Sequence, residues 1–242
     1  MNAAFPTGYA EFGIRSNFSF LRGASAPEEL VTTARYLGLS AIGLADCNTV
    51  AGVVRAWKMA EEEKLAYHPG CRLVFSDGTP DMLAYPQDRQ GWGHLCRMLT
   101  QANMRGEKGA PDLRREDLLE WGDFLSLAVL PGLAGTVEQE VTLLRLLAER
   151  FKNTLWLAVA PAFGGNDHFR IEQAAAMAQS AGLPLMATND ALYHVPCRRP
   201  LHDVLTAIRL NVPVAEAGFE LRPNAERHLK PPAEMARLFR RH

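Results

Sequence analysis

Three short stretches concentrate side chains that could do chemistry. Tyr9–Gly23, YAEFGIRSNFSFLRG, carries Arg15 and Arg22 behind the β-formers Tyr9, Phe12, Ile14 and Phe18. It turns through Arg22-Gly23-Ala24-Ser25 into a helix start at Ser25, Pro27, Glu28 and Glu29. Asp46-Cys47-Asn48 closes a second apolar run, and Asn189-Asp190 closes a third. A carboxylate or thiolate can ligate a metal ion, whereas a guanidinium holds permanent positive charge and pairs with carboxylates instead. The first stretch offers Gly13, Arg15 and Arg22 and no histidine. Polar clusters at the C-terminal ends of several strands are the layout of a barrel-type α/β site.

The elements that must position these residues alternate. Apolar spacing predicts helices over Pro27–Leu37, Val50–Lys64, Arg89–Asn103, Arg115–Trp121, Val137–Phe151, Ile171–Ala181, Arg199–Leu210 and Pro232–Arg240. Asn48 or Thr49 is expected to cap the second of these. Trp92, Leu95, Cys96 and Leu99 are expected to be the buried face of the third, and Val137, Val141, Leu144, Leu147 and Ala148 that of the fifth. Strands are expected at Leu39–Asp46, Gly70–Phe75, Asp81–Ala84, Phe124–Leu130, Thr154–Val159 and Leu183–Thr188, with Asn211–Ala225 irregular. Strand–helix alternation argues for one α/β domain with a mainly parallel sheet. The pair Gly70–Phe75 and Asp81–Ala84, joined at Ser76-Asp77-Gly78, breaks the alternation, so a distorted barrel is expected rather than a regular eightfold one.

Composition narrows the function classes. At 242 residues, 48% hydrophobic and 22% charged, the chain reads as an ordinary globular domain. A formal net charge of −1 is no footprint for wrapping nucleic acid. Cys47, Cys71, Cys96 and Cys197 are scattered without a CxxC, which argues against structural zinc and for reduced thiols in a cytoplasmic setting. MNAAFPTGYAEF lacks the basic start and long apolar run of a signal peptide, and no stretch approaches the roughly 20 apolar residues needed to span a bilayer.

The segments SNFSFLRGASAPEEL (Ser16–Leu30), LADCNTVAGVVRA (Leu44–Ala56), DMLAYPQDR (Asp81–Arg89), MATNDALYHVPCRRPLHDVLTAIR (Met186–Arg209) and NAERHLKPPAEMARLF (Asn224–Phe239) carry a resemblance over almost the whole chain. Together they resemble the PHP (polymerase and histidinol phosphatase) domain at the N-terminus of bacterial C-family DNA polymerases, most closely the error-prone, DnaE-like branch. The resemblance implies a distorted, TIM-like (β/α)7 barrel. It also implies that residues 1–242 are a single domain, the N-terminal fragment of a much longer polymerase chain. The abrupt end at Arg240-Arg241-His242 suits such a fragment.

Active members of the superfamily hold up to three divalent metals at the strand C-termini, which activate water for phosphoester hydrolysis. Carried onto this chain, the family's first His-x-His pair falls on Gly13 and Arg15, and an acidic position in the following turn falls on Arg22. The Thr-Asp-His motif becomes Ala45-Asp46-Cys47, a glutamate after Gly-Cys becomes Arg72, and the final Asp-x-His keeps Asp190 but has Leu192 for histidine. The resemblance therefore implies a vestigial pocket of Gly13, Arg15, Arg22, Asp46, Cys47, Arg72, Asp190 and Leu192, with no catalytic residue, no metal and no cofactor. Arg15 and Arg72 are expected to fill the old metal volume and pair with Asp190, and with Asp46 as a further partner.

The same sequence offers other candidate groups. His94, His194 and His202, the last two with Asp203 as a relocated metal site, are read as ordinary structural histidines. Cys47 as a nucleophile lacks a basic partner nearby in sequence and is read as a buried thiol. Gly164-Gly165 and Gly106/Gly109 do not make phosphate loops. The expected role is a structural and interaction module of an error-prone DNA polymerase acting in translesion synthesis, DNA damage tolerance and repair, and mutagenesis. The expected partners are the polymerase's own palm and thumb, with the sliding clamp, mutasome companion proteins and DNA engaged through the full-length chain. An active metal-dependent phosphoesterase or 3′–5′ exonuclease is the alternative, and a freestanding phosphatase a third.

Overall fold

The computed structural model describes residues 8–132 and 136–241. The N-terminal MNAAFPT and His242, used above in reading the chain's ends, lie outside the described residues. Seven strands form one sheet in sequence order: β1 (Ala10–Ile14), β2 (Ala41–Cys47), β3 (Ala66–Leu73), β4 (Met82–Pro86), β5 (Leu125–Val129), β6 (Leu155–Val159) and β7 (Leu185–Ala187). β1 to β3 run parallel, as do β5 to β7, while β4 is antiparallel to both of its neighbours. Helices α1 (Pro27–Tyr36), α2 (Val53–Glu63), α5 (Val137–Arg150) and α6 (Asp167–Ala181) form the parallel crossovers. α3 (Arg89–Arg105) and α4 (Arg115–Trp121) link β4 to β5, and α7 (Arg199–Leu210) and α8 (Pro232–Leu238) follow β7. The result is the expected α/β curled sheet of barrel type with helices outside.

Side-chain size on the two faces of each strand sets the curl. On β2, Ile42 and Leu44 face outward and pack with Leu30, Val31 and Ala34 of α1 and Ala56 and Ala60 of α2. On the other face, Ala45 joins Leu83, Tyr85, Ala128 and Ala158 in an interior cluster that Phe12 and Trp156 complete. Gly43 has to be small, because a Cβ there would lie 2.4 Å from the Phe12 ring. A larger outer cluster, including Leu95, Met98, Leu144, Leu147, Ile171 and Met177, seats α3, α5 and α6.

β1 and β7 are not paired as strands, yet their edges are drawn together. The Thr188 hydroxyl contacts the Glu11 carboxylate at 2.6 Å and the Phe12 carbonyl at 2.5 Å. The Asn189 N–H donates to Glu11 at 2.9 Å, and the Arg15 N–H donates to the Ala191 carbonyl at 3.0 Å.

Several sequence expectations need correction. β3 begins at Ala66 rather than Gly70, with Pro69 inside it. Proline is tolerated because β4 pairs only with Cys71–Leu73, so the strand has a free edge at Pro69. α2 begins at Val53 without a side-chain cap. Thr49 instead accepts the Ala51 N–H, and the Asn48 amide pairs with both backbone groups of Val74. On α3 the buried face is Leu95, Met98, Leu99 and Ala102, with Trp92 and Cys96 half-buried at its margin. Val137 at the start of α5 is exposed, and α8 ends at Leu238. No helix among the described residues is long and apolar enough to cross a membrane.

Candidate functional site

The site is built at the C-terminal ends of the parallel strands, and its geometry starts from one glycine. Gly13 sits in β1 at φ +84°, a left-handed conformation that L side chains rarely adopt. The pairing register jumps there: Phe12 faces Gly43 and Ile14 faces Leu44. This is a β-bulge, and it reverses the in/out alternation. Phe12 points into the barrel with Tyr85, 4.9 Å away edge to face, whereas Ile14 joins the outer cluster with Leu30 and Ile42. Beyond the bulge Arg15 reaches into the mouth. The Gly13 N–H is satisfied by the Tyr85 hydroxyl at 2.7 Å, which in turn donates to the Gly43 carbonyl at 3.1 Å.

Asp190 is the centre of the mouth. It follows β7 at φ +47°, held by its own N–H donating to the Thr188 hydroxyl at 2.9 Å. Three guanidiniums converge on its carboxylate. Arg15 reaches Oδ2 at 2.9 Å, Arg227 reaches the same oxygen at 3.1 Å, and Arg72 reaches Oδ1 at 3.0 Å. Arg72 also donates to Asp81 at 2.8 Å. Arg15, Asp190 and Arg227 are buried. Burial alone would raise the Asp190 carboxyl, but Arg15, Arg227 and Arg72 outweigh it and hold the group below the ordinary aspartate value. Burial, with Arg72 and Arg227 beside it, brings the Arg15 guanidinium down to about 10 against the pull of Asp190. Arg15 Nε and Arg227 Nε have no hydrogen-bond partner.

Asp46 has a different role from the one expected. No arginine among the described residues is bonded to it. Instead it accepts the Ser16 N–H at 2.8 Å, the Ser16 hydroxyl at 2.7 Å, the Ser19 N–H at 3.1 Å and the Ser19 hydroxyl at 2.6 Å. Burial pushes its carboxyl above the usual value and those four donors oppose the shift. Asp46 therefore pins the turn that leads away from Arg15. Gly23 closes that turn, where a Cβ would lie 2.0 Å from the Ser16 carbonyl oxygen.

The remaining expected positions divide. Leu192 is buried with Ala24 and Tyr193 in an apolar cluster that Leu205 of α7 completes. Arg22 is exposed and does not join the arginine cluster; with Cys47, Phe18 and Asn48 it lines a separate surface cavity of about 570 Å³. Cys47 is half-buried rather than buried, and its N–H donates to the Ser19 hydroxyl at 3.0 Å. His94 packs edge to face on Trp121 and Phe124. His194 bonds the Ser25 hydroxyl at 2.7 Å, and His202 lies against the Tyr193 ring at 5.8 Å. Asp203 is paired with Arg199. The histidines are thus engaged separately.

This donor set does not fit a divalent cation. Both Asp190 oxygens are taken by guanidiniums, Asp46 is saturated by serines, and Gly13 and Leu192 offer no ligating atom. Among the described residues no group of three or more His, Cys, Asp or Glu side chains is arranged to hold a metal ion. What the mouth can do chemically is hold a carboxylate inside a ring of fixed positive charge.

Two members of the cluster escaped sequence reading. Asp81 enters because β4 runs backwards, so the residue before it lies at the mouth. Arg227 lies far along the chain in irregular backbone, where it also donates to the Asn189 carbonyl at 3.1 Å. No periodicity marks such a residue, and the only available signal was an arginine in a segment rich in turn formers.

A seven-stranded α/β half-barrel with its polar cluster at the strand ends is a PHP-type architecture. The chain belongs to the PHP domain family, whose sequence model matches residues 11–166. It is 71% identical over its full length to an error-prone DNA polymerase of Mesorhizobium japonicum, of which it spans 22%. It is 54% identical over 96% of its length to error-prone DNA polymerase 1 of Rhizobium meliloti, of which it spans 21%. The chain thus spans about a fifth of the curated relatives it matches. Two solved structures share the fold at a TM-score of 0.56, each over 76% of this chain. One, from Bifidobacterium adolescentis, is 18% identical over 88% of that chain. The other is an amidohydrolase from Chromobacterium violaceum with bound sulfate and no metal, 15% identical over 86% of that chain.

Proposed function

We propose that this chain is the N-terminal PHP domain of an error-prone DNA polymerase, and that its former metal mouth is now a catalytically silent structural element. One observation carries the reading: both oxygens of Asp190, the surviving acid of the final ligand motif, are held by Arg15, Arg72 and Arg227. A buried carboxylate bonded to three guanidiniums sits inside positive charge that repels a cation, and arginine cannot give up its proton to become a ligand. The domain then serves the full-length polymerase as a brace for its palm and thumb. Translesion synthesis, damage tolerance and mutagenesis, and engagement of DNA, the sliding clamp and mutasome proteins, belong to that full-length chain in the cytoplasm. The high identity to proteins named error-prone DNA polymerase supports this assignment.

Elemental mass spectrometry of the purified chain, after incubation with excess zinc and manganese and gel filtration, tests the reading. Less than about a tenth of an equivalent of metal is expected, since real sites hold their metal tightly. Near-stoichiometric metal would overturn the proposal and favour phosphoesterase or 3′–5′ exonuclease chemistry, which direct assays would then follow.

A further inference from the structure

Helix α7 is built inside out. Leu201, Val204 and Ile208 recur at the spacing of a face that a helix normally buries. They are 41%, 43% and 57% exposed, while the residues turned inward are His202, Thr206 and Ala207. The rotation of the helix is fixed on both sides. His202 stacks edge-on against Tyr193, and Leu205 packs on the cluster of Ala24, Leu192 and Tyr193. Arg198 is bonded to Glu29 of α1, and Arg199 donates to the Arg222 carbonyl at 2.7 Å. Exposed apolar side chains recur along the chain beyond the helix at Val212, Val214 and Phe219, and the turn that carries Val214 packs against α7. Exposed Arg209, Glu216 and Glu220 are interspersed with them along the chain. An exposed apolar patch marks an interaction surface.

We infer that this face, from Leu201 to Phe219, is the surface on which the rest of the polymerase polypeptide packs. The inference rests on the reading above and supplies the place of contact. The 71%-identical relative has more than three quarters of its length outside the matched segment, so chain is at hand to cover the patch. A tethered segment acts at an effective concentration of about millimolar, which outcompetes a second, untethered copy. The occupant is therefore an apolar face of the same chain.

Hydroxyl-radical footprinting of the 242-residue chain and of the full-length protein that carries it tests this. Phe219, Ile208 and Val204 should label in the short chain. In the full-length protein their labelling should fall to the level of buried Leu192. Equal labelling in both proteins overturns the inference. Sedimentation velocity of the short chain supplies the other arm: a monomer is expected, and a dimer with these three residues protected would assign the face to a second copy and overturn the inference. Metal content reads the mouth alone, so failure of the silent-site proposal and failure of the interface are told apart.

Discussion

Asp190 and Asp81 face three guanidiniums in this mouth, and Asp190 alone pairs with Arg15 and Arg227, which decides what it is worth. Removing it leaves Arg15 and Arg227 buried with no counter-charge, a change that destabilises by about 3–5 kcal/mol. Asp190→Ala should therefore lower the urea midpoint sharply, and a variant as stable as the parent would refute the pairing. The sign of the pH effect follows from the same cluster. Because the folded-state value lies below the unfolded one of about 3.8, the stabilisation is fully present above it and is lost as pH falls through the folded value. The identities of Arg15, Arg72 and Asp190 as partners were legible from the motif positions they occupy. Asp46 was not, since nothing in LADCN tells whether an acid faces arginine or the hydroxyls of a neighbouring turn.

At the scale of elements, Gly13 does more than omit a ligand. Its left-handed backbone makes the bulge that aims Arg15, and an added Cβ would meet Leu83 Cδ1 at 3.0 Å. Gly13→Ala should cost about 1–2 kcal/mol, from backbone strain at positive φ together with displacement of Arg15 from Asp190. Chemical denaturation measures the cost, and a neutral effect would mean that the bulge is not under strain. Most helices and strands could be read from spacing to within a few residues, because their apolar periods are clear. The bulge could not: FGIR reads as regular strand, and the register jump exists only in the pairing with β2. The start of β3 at Ala66 was hidden too, since the place of Pro69 at a free strand edge depends on how far β4 reaches. The segment from Asn211 to Lys230 has no period at all, which is why Arg227 was invisible.

For the whole molecule, the critical join is the seam where β7 meets β1. Glu11 is fully buried there between Tyr9, whose hydroxyl donates at 2.7 Å, and Thr188 with Asn189 from the opposite edge. Burial raises its carboxyl to about 7, the charge of nearby Asp190 adds to the rise, and the three hydrogen bonds oppose it. The Thr188 hydroxyl has one hydrogen and two close acceptors, Glu11 and the Phe12 carbonyl, and only Glu11 can bring a proton of its own. A carboxyl raised on folding gives stability that is full below its unfolded value and fades as pH climbs through about 7. The whole effect is about 3 kcal/mol. Glu11→Gln, permanently neutral, should remove that slope from urea melts taken between about pH 5 and pH 8. A variant with the parent's slope would sink the idea. The bulge beside this seam also has a meaning in the language of coding. Strand alternation is a two-beat reading frame, and Gly13 is an insertion within it. Ile14 is therefore read on the outer face, and the frame that the insertion sets is the one that delivers Arg15 to Asp190.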